Sequence, residues 1–281
     1  TMTQIMGSPN EANKGAAPGP DKDAEVQASL NRIKHKLVIM SGKGGVGKTS
    51  TSVNLAIALA RLGHNVGLMD VDLHGPDVPR MLGLTAMLGL SANQKLDPLH
   101  YNDHLKVVSI ESLMASKDDA VIWRGPMKYS AIRQFISDVD WGDLDFLLID
   151  SPPGTGDEPL TVAQTIPDAK AVIVTTPQEV SLADVRKSIS FCHTLKMEIF
   201  GLVENMSGYV CPHCGEKVDI FGAGGGEQTA REARIDFLGS IPLDPNVVTC
   251  SDSGQPYQET YPDSPVTQAY EVIAGKIGKL V

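Results

Sequence analysis

Cysteine is scarce in this sequence, and all of it lies in the second half. Four cysteines occur in 281 residues, and none precedes Cys192. So few cysteines do not make a disulfide-stapled scaffold, and we expect a chain that works in a reducing, cytoplasmic compartment. Long apolar runs are also missing, since no stretch approaches the roughly 20 apolar residues that a membrane-spanning helix needs. The sequence shows no signal-peptide pattern and no internal repeat.

Positive charge is the second shortage. The 24 lysines and arginines are outnumbered by 34 acidic residues, which gives a formal net charge of −10. A chain with this balance has no overall basic field that could hold nucleic acid. Lys276 and Lys279 are too few to make a membrane-binding tail. We therefore expect neither a nucleic acid nor a membrane as a partner.

The most informative stretch is GKGGVGKT at residues 42–49. It matches the phosphate-binding pattern G-x-x-x-x-G-K-[ST] in full, between a predicted apolar strand (residues 36–40) and a predicted helix (residues 49–61). Glycine backbone can wrap closely around phosphates, and the helix adds the positive end of its dipole. A purely structural glycine-rich turn is the alternative, and the complete match argues against it. The predicted nucleotide-binding residues are Gly42, Lys43, Gly44, Gly45, Val46, Gly47, Lys48, Thr49 and Ser50.

A second apolar run, residues 145–150, has the form of a Walker B strand. It ends in Asp150, and such a strand delivers a carboxylate to the Mg²⁺ shell beside the phosphate loop. Within the loop, we expect Lys48 to contact the β- and γ-phosphates and the Thr49 hydroxyl to bind Mg²⁺. Thr49 and Asp150 are therefore the predicted magnesium residues. The following residues, 151–157, are expected to act as a switch that senses the γ-phosphate, with a rigid, proline-stiffened loop as the alternative.

Two more aspartates stand at the end of the predicted strand over residues 65–70. Ligands bind at the carboxyl ends of the strands in open parallel sheets. We assign Asp72 to orienting the attacking water and Asp70 to a supporting role. The alternative for each is an aspartate that caps the turn at Gly75 and Pro76.

Predicted strands and helices alternate along most of the chain. This alternation predicts an α/β fold with a mostly parallel central sheet that is covered by helices on both faces. We expect a single domain over residues 21–281, which includes a metal-binding segment at about residues 205–227. Residues 1–20 are rich in glycine, proline and small polar residues, and they are expected to form a disordered tail.

Four local expectations complete the prediction of the fold. Residues 21–35 are predicted to form a short helix, because apolar residues within them share one face. Ser181 is predicted to open a later helix in a variant of the capping box. Cys250 is expected in a polar loop. The glycine-rich residues 221–227 are expected to form a flexible loop next to the cysteine pair.

That pair, Cys211 and Cys214, has the C-x-x-C spacing at which two thiolates converge on one metal. A tetrahedral zinc site or an iron–sulfur cluster takes about four ligands, and the chain offers one such pair. Cys192 fits the core face of a helix, and the side chain of His213 is expected to diverge from the pair. Two chains that each contribute Cys211 and Cys214 are the simplest route to four thiolates. A zinc site closed by local residues, or two free thiols, are the alternatives.

Together these motifs resemble a known group of proteins. SGKGGVGKTS is similar to the deviant Walker A loop of the MinD, ParA and nitrogenase-iron-protein group. With LLIDSPPGTGDEPLT, ENMSGYVCPHCGEK and FGAGGGE, it looks like the Mrp/ApbC-type P-loop ATPases, which carry and assemble iron–sulfur clusters. The resemblance implies an ATP-sandwiched homodimer in which Lys43 reaches the partner's nucleotide and Asn205 contacts adenine. Without it, Lys43 would be a solvated surface lysine and Asn205 a turn residue.

The resemblance also implies an activity. A labile [4Fe–4S] cluster would bind at the paired C-x-x-C, with zinc in its place in aerobic preparations, and would pass to apo iron–sulfur proteins. Slow ATP hydrolysis would tune the loading or release of the cluster. Some relatives carry a second, N-terminal four-cysteine motif, which we expect to be absent because no cysteine precedes Cys192. A MinD/ParA-like positioning ATPase and a zinc-stapled nucleotide-binding scaffold are the alternative functions.

Overall fold

The computed structural model describes residues 20–72, 75–113, 125–211 and 213–280. The strands are β1 (Ile33–Ser41), β2 (Val66–Asp70), β3 (Gly89–Leu90), β4 (Leu96–Asp97), β5 (Leu99–Asn102), β6 (Leu105–Ser109), β7 (Leu144–Asp150), β8 (Lys170–Thr175), β9 (Glu198–Glu204), β10 (Tyr209–Val210), β11 (Lys217–Val218) and β12 (Phe237–Ser240). The α-helices are α1 (Pro20–Leu30), α2 (Lys48–Arg61), α3 (Val78–Met81), α4 (Gly125–Ser137), α5 (Asp157–Thr165), α6 (Glu179–Leu195), α7 (Gly225–Ala233), α8 (Pro245–Ser253), α9 (Tyr257–Thr260) and α10 (Pro265–Gly278). No helix within these ranges has both the length and the apolar character needed to cross a membrane.

Eight strands form the central sheet, in the order β12-β9-β8-β1-β7-β2-β6-β5. Among the described residues, its pairings are parallel except that of β5 with β6, which is antiparallel at one edge. β1 lies between β7 and β8, so the loop that follows β1 emerges at the middle of the carboxyl edge. This is the place where open parallel sheets bind their ligands.

The side chains of β1 show why helices cover both faces of the sheet. Leu37 and Ile39 pack in one buried cluster with residues of α2 and α10. Val38 and Met40 point the other way and pack in a second cluster with residues of α1, α4 and α5. Successive side chains of a strand face opposite sides, so a strand that is apolar at every position must be covered twice. The predicted α/β fold with helices on both faces is confirmed.

Two expectations about secondary structure need correction. The predicted helix over residues 21–35 ends at Leu30, and β1 begins at Ile33, which pairs with Leu144 of β7. Ile33 is buried by this pairing, so it belongs to the sheet, although helical periodicity predicts it on α1. Cys250 is buried in α8 rather than exposed in a polar loop. α8 has few large apolar residues, which is why periodicity missed it.

Two expectations about loops also need correction. α6 begins at Glu179 without a side-chain cap, and Ser181 hydrogen bonds the Thr176 hydroxyl instead of capping the helix. The glycine-rich residues 221–227 are not simply a loop, because α7 begins within them, at Gly225. The predicted tail lies outside the described residues, apart from Pro20, where α1 begins.

Candidate functional site

The loop after β1 and the start of α2 enclose a cavity of about 260 Å³ at the carboxyl edge of the sheet. Gly45 and Gly47 take positive φ angles of 78° and 77°, which lets the backbone curl around the cavity. The cavity is lined by Ser41, Lys43, Gly44, Gly45, Val46, Gly47, Lys48, Thr49, Ser50, Asp72 and Pro153. The structure therefore brings together most of the predicted nucleotide-binding residues, and it places Asp72 in the same cavity.

Gly42 and Asn205 are the two predicted nucleotide-binding residues that do not line this cavity. A Cβ at Gly42 would lie 2.4 Å from a backbone carbon of Asp184, so this glycine allows α6 to approach the loop closely. The Asn205 amide donates a hydrogen bond of 2.9 Å to the carbonyl oxygen of Val46. Its nitrogen would lie 2.2 Å from a Cβ placed on Gly47. Asn205 thus packs directly against the phosphate loop.

The predicted magnesium residues meet behind the loop. Asp150 is fully buried, and its carboxylate accepts hydrogen bonds from Lys48 Nζ at 2.8 Å, Thr49 Oγ1 at 2.8 Å and Ser52 Oγ at 2.6 Å. A hydroxyl and a carboxylate side by side are the hard oxygen donors that Mg²⁺ prefers. Thr49 and Asp150 therefore fit the predicted magnesium role. Ser52 is a further residue of this cluster that the motifs do not predict, although its position one helical turn after Lys48 is a usable signal.

Asp70 supports this arrangement from the neighbouring strand. It is fully buried and pairs in register with Asp150. Burial, together with the charge of Asp150, raises the pKa of the Asp70 carboxyl well above its usual range. Asp70 accepts hydrogen bonds from the Asp72 backbone N–H at 3.1 Å and from Ser109 Oγ at 3.0 Å. It thereby holds the start of the loop that carries Asp72.

The loop after Asp150 is tied to β1 at two points. Ser151 Oγ donates to the carbonyl oxygen of Ile39 at 3.0 Å, and the Gly154 N–H donates to that of Ser41 at 2.8 Å. Pro153 of the same loop lines the cavity. This segment therefore lies beside the phosphate loop, in a position to contact a γ-phosphate bound in the cavity.

The cysteine pair lies in a separate small hairpin made of β10 and β11. The Cys211 N–H donates to the Glu216 carbonyl at 2.9 Å, and the Gly215 N–H donates to the Cys211 carbonyl at 2.8 Å. Hydrogen bonds from the backbone of Cys214 and His213, and from the Cys214 side chain, lower the pKa of the Cys211 thiol. A lowered pKa favours the thiolate, which is the form that binds metals.

Both thiols of this hairpin are accessible, since Cys211 is half-buried and Cys214 exposed, whereas Cys192 and Cys250 are buried. Within the described ranges, no group of three or more His, Cys, Asp or Glu side chains is placed to hold a metal ion. This part of one chain therefore offers two thiol ligands, and not a closed site.

Comparison with known proteins identifies the family of the chain. A family model described as NUBPL iron-transfer P-loop NTPase (ParA) matches residues 32–278. An iron–sulfur cluster carrier protein of Methanocaldococcus jannaschii is 52% identical over 236 residues, which are 84% of this chain and 81% of that protein. A cytosolic Fe–S cluster assembly factor NUBP2 homolog of Dictyostelium discoideum is 49% identical over 241 residues, which are 84% of this chain and 91% of the relative.

A solved structure is similar over a comparable length. It is a nucleotide-binding protein of Archaeoglobus fulgidus in complex with ADP, with a TM-score of 0.73 and 39% sequence identity. The match covers 83% of this chain and 91% of that one. Since the family model spans nearly the whole described chain and several relatives are about half identical to it, the chain belongs to the family of NUBPL iron-transfer P-loop NTPases.

Proposed function

We propose that this protein is an ATP-dependent carrier of iron–sulfur clusters. Two copies form a homodimer, hold a labile [4Fe–4S] cluster between them and deliver it to apo iron–sulfur proteins. The observation that carries the proposal is the exposed pair Cys211 and Cys214, which supplies two thiols where a cluster takes about four. Relatives that are about half identical carry the names of cluster carriers and assembly factors, which supports the cluster as cargo.

The nucleotide half of the proposal uses the cavity residues. Lys48 contacts the phosphates, while Thr49 and Asp150 hold Mg²⁺, which would neutralise charge on the phosphate oxygens when bound. Asp72 orients the attacking water, and Asp70 holds the backbone N–H of Asp72 in place. Lys43, which lines the cavity, stabilises the transferred phosphoryl group of the partner's nucleotide. Asn205, now packed on the loop, is proposed to contact the adenine. Turnover is slow, because a carrier benefits from a long-lived ATP state.

The setting of this activity is also part of the proposal. We place it in the cytoplasm, in keeping with the Dictyostelium relative that is named as a cytosolic factor. The acidic net charge supports a protein that acts on protein recipients rather than on nucleic acid. Zinc, which also binds thiolates, is expected to occupy the cysteine pair in aerobic preparations.

Anaerobic reconstitution tests the cluster site. The full chain is incubated with iron and sulfide, desalted and weighed by sedimentation, and iron and sulfide are counted per dimer. We expect about four irons per two chains, with the visible absorption of thiolate-ligated iron. Cys211→Ala and Cys214→Ala should each lose the cluster, whereas Cys250→Ala, which removes a buried thiol in α8, should keep it. A monomer with a complete cluster would contradict the proposal.

Transfer to a recipient needs its own measurement. The loaded dimer is mixed with an apo-protein that takes a [4Fe–4S] cluster, and the recipient's recovered activity is followed with a strong iron chelator present. A carrier transfers its cluster faster than the chelator removes it, whereas free iron and sulfide in the same amount restore nothing. Recovery that the chelator abolishes would argue for simple release instead of delivery.

A further inference from the structure

Two consecutive residues at the end of β9 connect the phosphate loop with the cysteine hairpin. Glu204 is the last residue of β9, and Asn205 follows it. The Asn205 side chain contacts Val46 and Gly47 of the phosphate loop. The Glu204 side chain contacts the segments on either side of the hairpin. The chain thus has one short element with a contact to each of the two sites.

The Asn205 contact fixes the direction of one peptide group in the loop. The peptide between Val46 and Gly47 is trans, so its carbonyl and its N–H point in opposite directions. The carbonyl accepts from Asn205, and Gly47 lines the cavity. A phosphate that accepts from the Gly47 N–H would polarise this peptide and strengthen the bond to Asn205, because hydrogen bonds in a chain reinforce one another. A bound phosphate would therefore change the strength of the hydrogen bond between Asn205 and Val46.

The Glu204 carboxylate lies at the base of the segment that contains the cysteine hairpin. It is fully buried and accepts from Ser207 Oγ at 2.6 Å, from the Gly224 N–H at 3.1 Å and from the Gly226 N–H at 2.6 Å. Ser207 precedes the hairpin, while Gly224 and Gly226 follow it at the start of α7. One side chain therefore ties both ends of the segment that contains Cys211 and Cys214.

The residue between these contacts is held in an unusual conformation. Met206 has a φ of 58°, in the left-handed region that non-glycine residues seldom occupy. The Ser207 N–H donates to the Ile241 carbonyl at 2.9 Å, and the Leu243 N–H donates to the Gly208 carbonyl at 2.9 Å. The path from Asn205 to the hairpin is therefore short and held by backbone hydrogen bonds.

We propose that Glu204 and Asn205 are positioning residues that couple nucleotide binding in the phosphate loop to the placement of Cys211 and Cys214. The proposal adds a coupling route to the proposed function and takes from it the nucleotide cavity and the cysteine pair as the two coupled sites. Because coupling between two sites is reciprocal, metal held by the cysteines must change nucleotide affinity by the factor with which nucleotide changes metal affinity.

The rate of thiol modification tests the coupling in the metal-free full chain. Cys211 and Cys214 are the accessible cysteines, so a thiol-reactive dye reports on the hairpin. We expect saturating Mg-ADP to change the modification rate of the wild type by about fivefold or more, the lower end of typical coupling. In Glu204→Gln this nucleotide effect should fall below about twofold, while the affinity for Mg-ADP stays within about threefold of the wild type.

The loss of the nucleotide effect in Glu204→Gln is expected from the hydrogen-bond donors around the carboxylate. Glutamine has one side-chain oxygen, so its NH₂ group must face at least one of the donors at Ser207, Gly224 or Gly226. Glu216→Gln is the matched control, since it makes the same change at an exposed position of the hairpin, and it should keep the full nucleotide effect. Asn205→Asp, which cannot donate to Val46, should lose the effect even when saturated with nucleotide.

Other outcomes count against the coupling. A wild type whose thiols react equally with and without Mg-ADP would overturn it, as would a Glu204→Gln variant with the full effect. If Glu204→Gln does not fold, Ser207→Ala removes one donor and keeps the carboxylate, and it should weaken the nucleotide effect; an unchanged effect there overturns the proposal. Because no metal is used, a protein that fails to bind a cluster can still show the coupling, so the two proposals fail separately.

Discussion

Lys48 Nζ lies 2.8 Å from Asp150 Oδ1, and both side chains are buried. The lysine expected to bind phosphate is therefore also the counterion of the acid at the end of β7. Thr49 and Ser52 donate to the same carboxylate. The phosphate loop and β7 are held together by this cluster, so residues that are proposed to bind nucleotide and Mg²⁺ also contribute to folding.

Removing the lysine should therefore destabilise the protein. Lys48→Met keeps the aliphatic bulk but leaves a buried carboxylate without its cation, which costs about 3–5 kcal/mol in comparable buried pairs. Urea unfolding without nucleotide measures the loss. The double variant Lys48→Met/Asp150→Asn should recover much of it, because no buried charge is left without a partner. If the loss of stability in the double variant equals the sum of the losses in Lys48→Met and Asp150→Asn, the two side chains are not coupled.

Asp72 should matter for hydrolysis far more than for binding. It lines the cavity with the loop, and its backbone N–H is fixed by Asp70. If it orients the attacking water, Asp72→Asn should lower the rate of ATP hydrolysis by about 100-fold or more. Affinity for Mg-ATP should change only a few-fold, because the phosphate contacts remain. Phosphate release and equilibrium nucleotide binding measure the two effects.

The matched control for this variant is Asp77→Asn. Asp77 lies at the start of α3, is exposed, and makes no capping hydrogen bond with its side chain. The same change there should leave hydrolysis within about twofold of the wild type, as for an ordinary surface substitution. Equal losses of the hydrolysis rate in both variants would show that negative charge after β2 is required in general. Asp72 would then have no specific role in orienting water.

The meeting of Lys48, Thr49 and Asp150 at one sheet edge is predictable from the sequence because its signals are local. The loop pattern and the acid at the end of an apolar strand fix Lys48, Thr49 and Asp150 on elements whose ends meet at one sheet edge. The alternation of strands and helices predicts the doubly covered sheet, and the two clusters around β1 show the two covered faces. Such features need no knowledge of long-range contacts.

The contacts missed by sequence analysis depend on residues that are distant along the chain. Glu204 ends β9, and its partners Gly224 and Gly226 lie in a stretch whose composition predicts a flexible loop. A carboxylate placed at the first N–H groups of α7 explains why that stretch forms a helix. Cys250 is a similar case. Its burial depends on the cluster around α8, whose residues are distant along the chain.

Alkaline pH should weaken the fold through Tyr270 of α10. Burial raises the pKa of Tyr270 to about 12, against about 10 in an unfolded chain. Above pH 10 the unfolded chain loses this proton while the folded protein keeps it, so stability is complete below pH 10 and falls as the pH rises to 12. The shift corresponds to a loss of about 2–3 kcal/mol.

Tyr270→Phe isolates this loss. The difference in unfolding free energy between wild type and variant is measured at pH 8 and again near pH 12. It should shift by about 2–3 kcal/mol against the wild type over this range. Tyrosines whose pKa is raised by burial in both proteins, such as Tyr257, cancel in the comparison. A difference that stays constant with pH would show that Tyr270 ionises as readily in the folded protein as in the unfolded chain.

Mixing two inactive variants should reveal whether Lys43 works across a dimer. Lys43→Ala removes the lysine that is proposed to serve the partner's nucleotide, and Asp72→Asn removes the acid that is proposed to serve its own. Each variant alone should hydrolyse ATP poorly. In a mixed dimer, the chain that lacks Lys43 keeps Asp72 and receives Lys43 from its partner, so one site is complete.

Random pairing makes about half of the dimers mixed, so an equal mixture should regain about a quarter of the wild-type rate per chain. If Lys43 served its own nucleotide, neither chain in any dimer would hold both residues and the mixture would stay inactive. Dilution gives an independent reading, because activity that needs two chains falls more than proportionally as the dimer dissociates. A rate per chain that is unchanged on dilution to monomers would place the complete ATPase site in one chain.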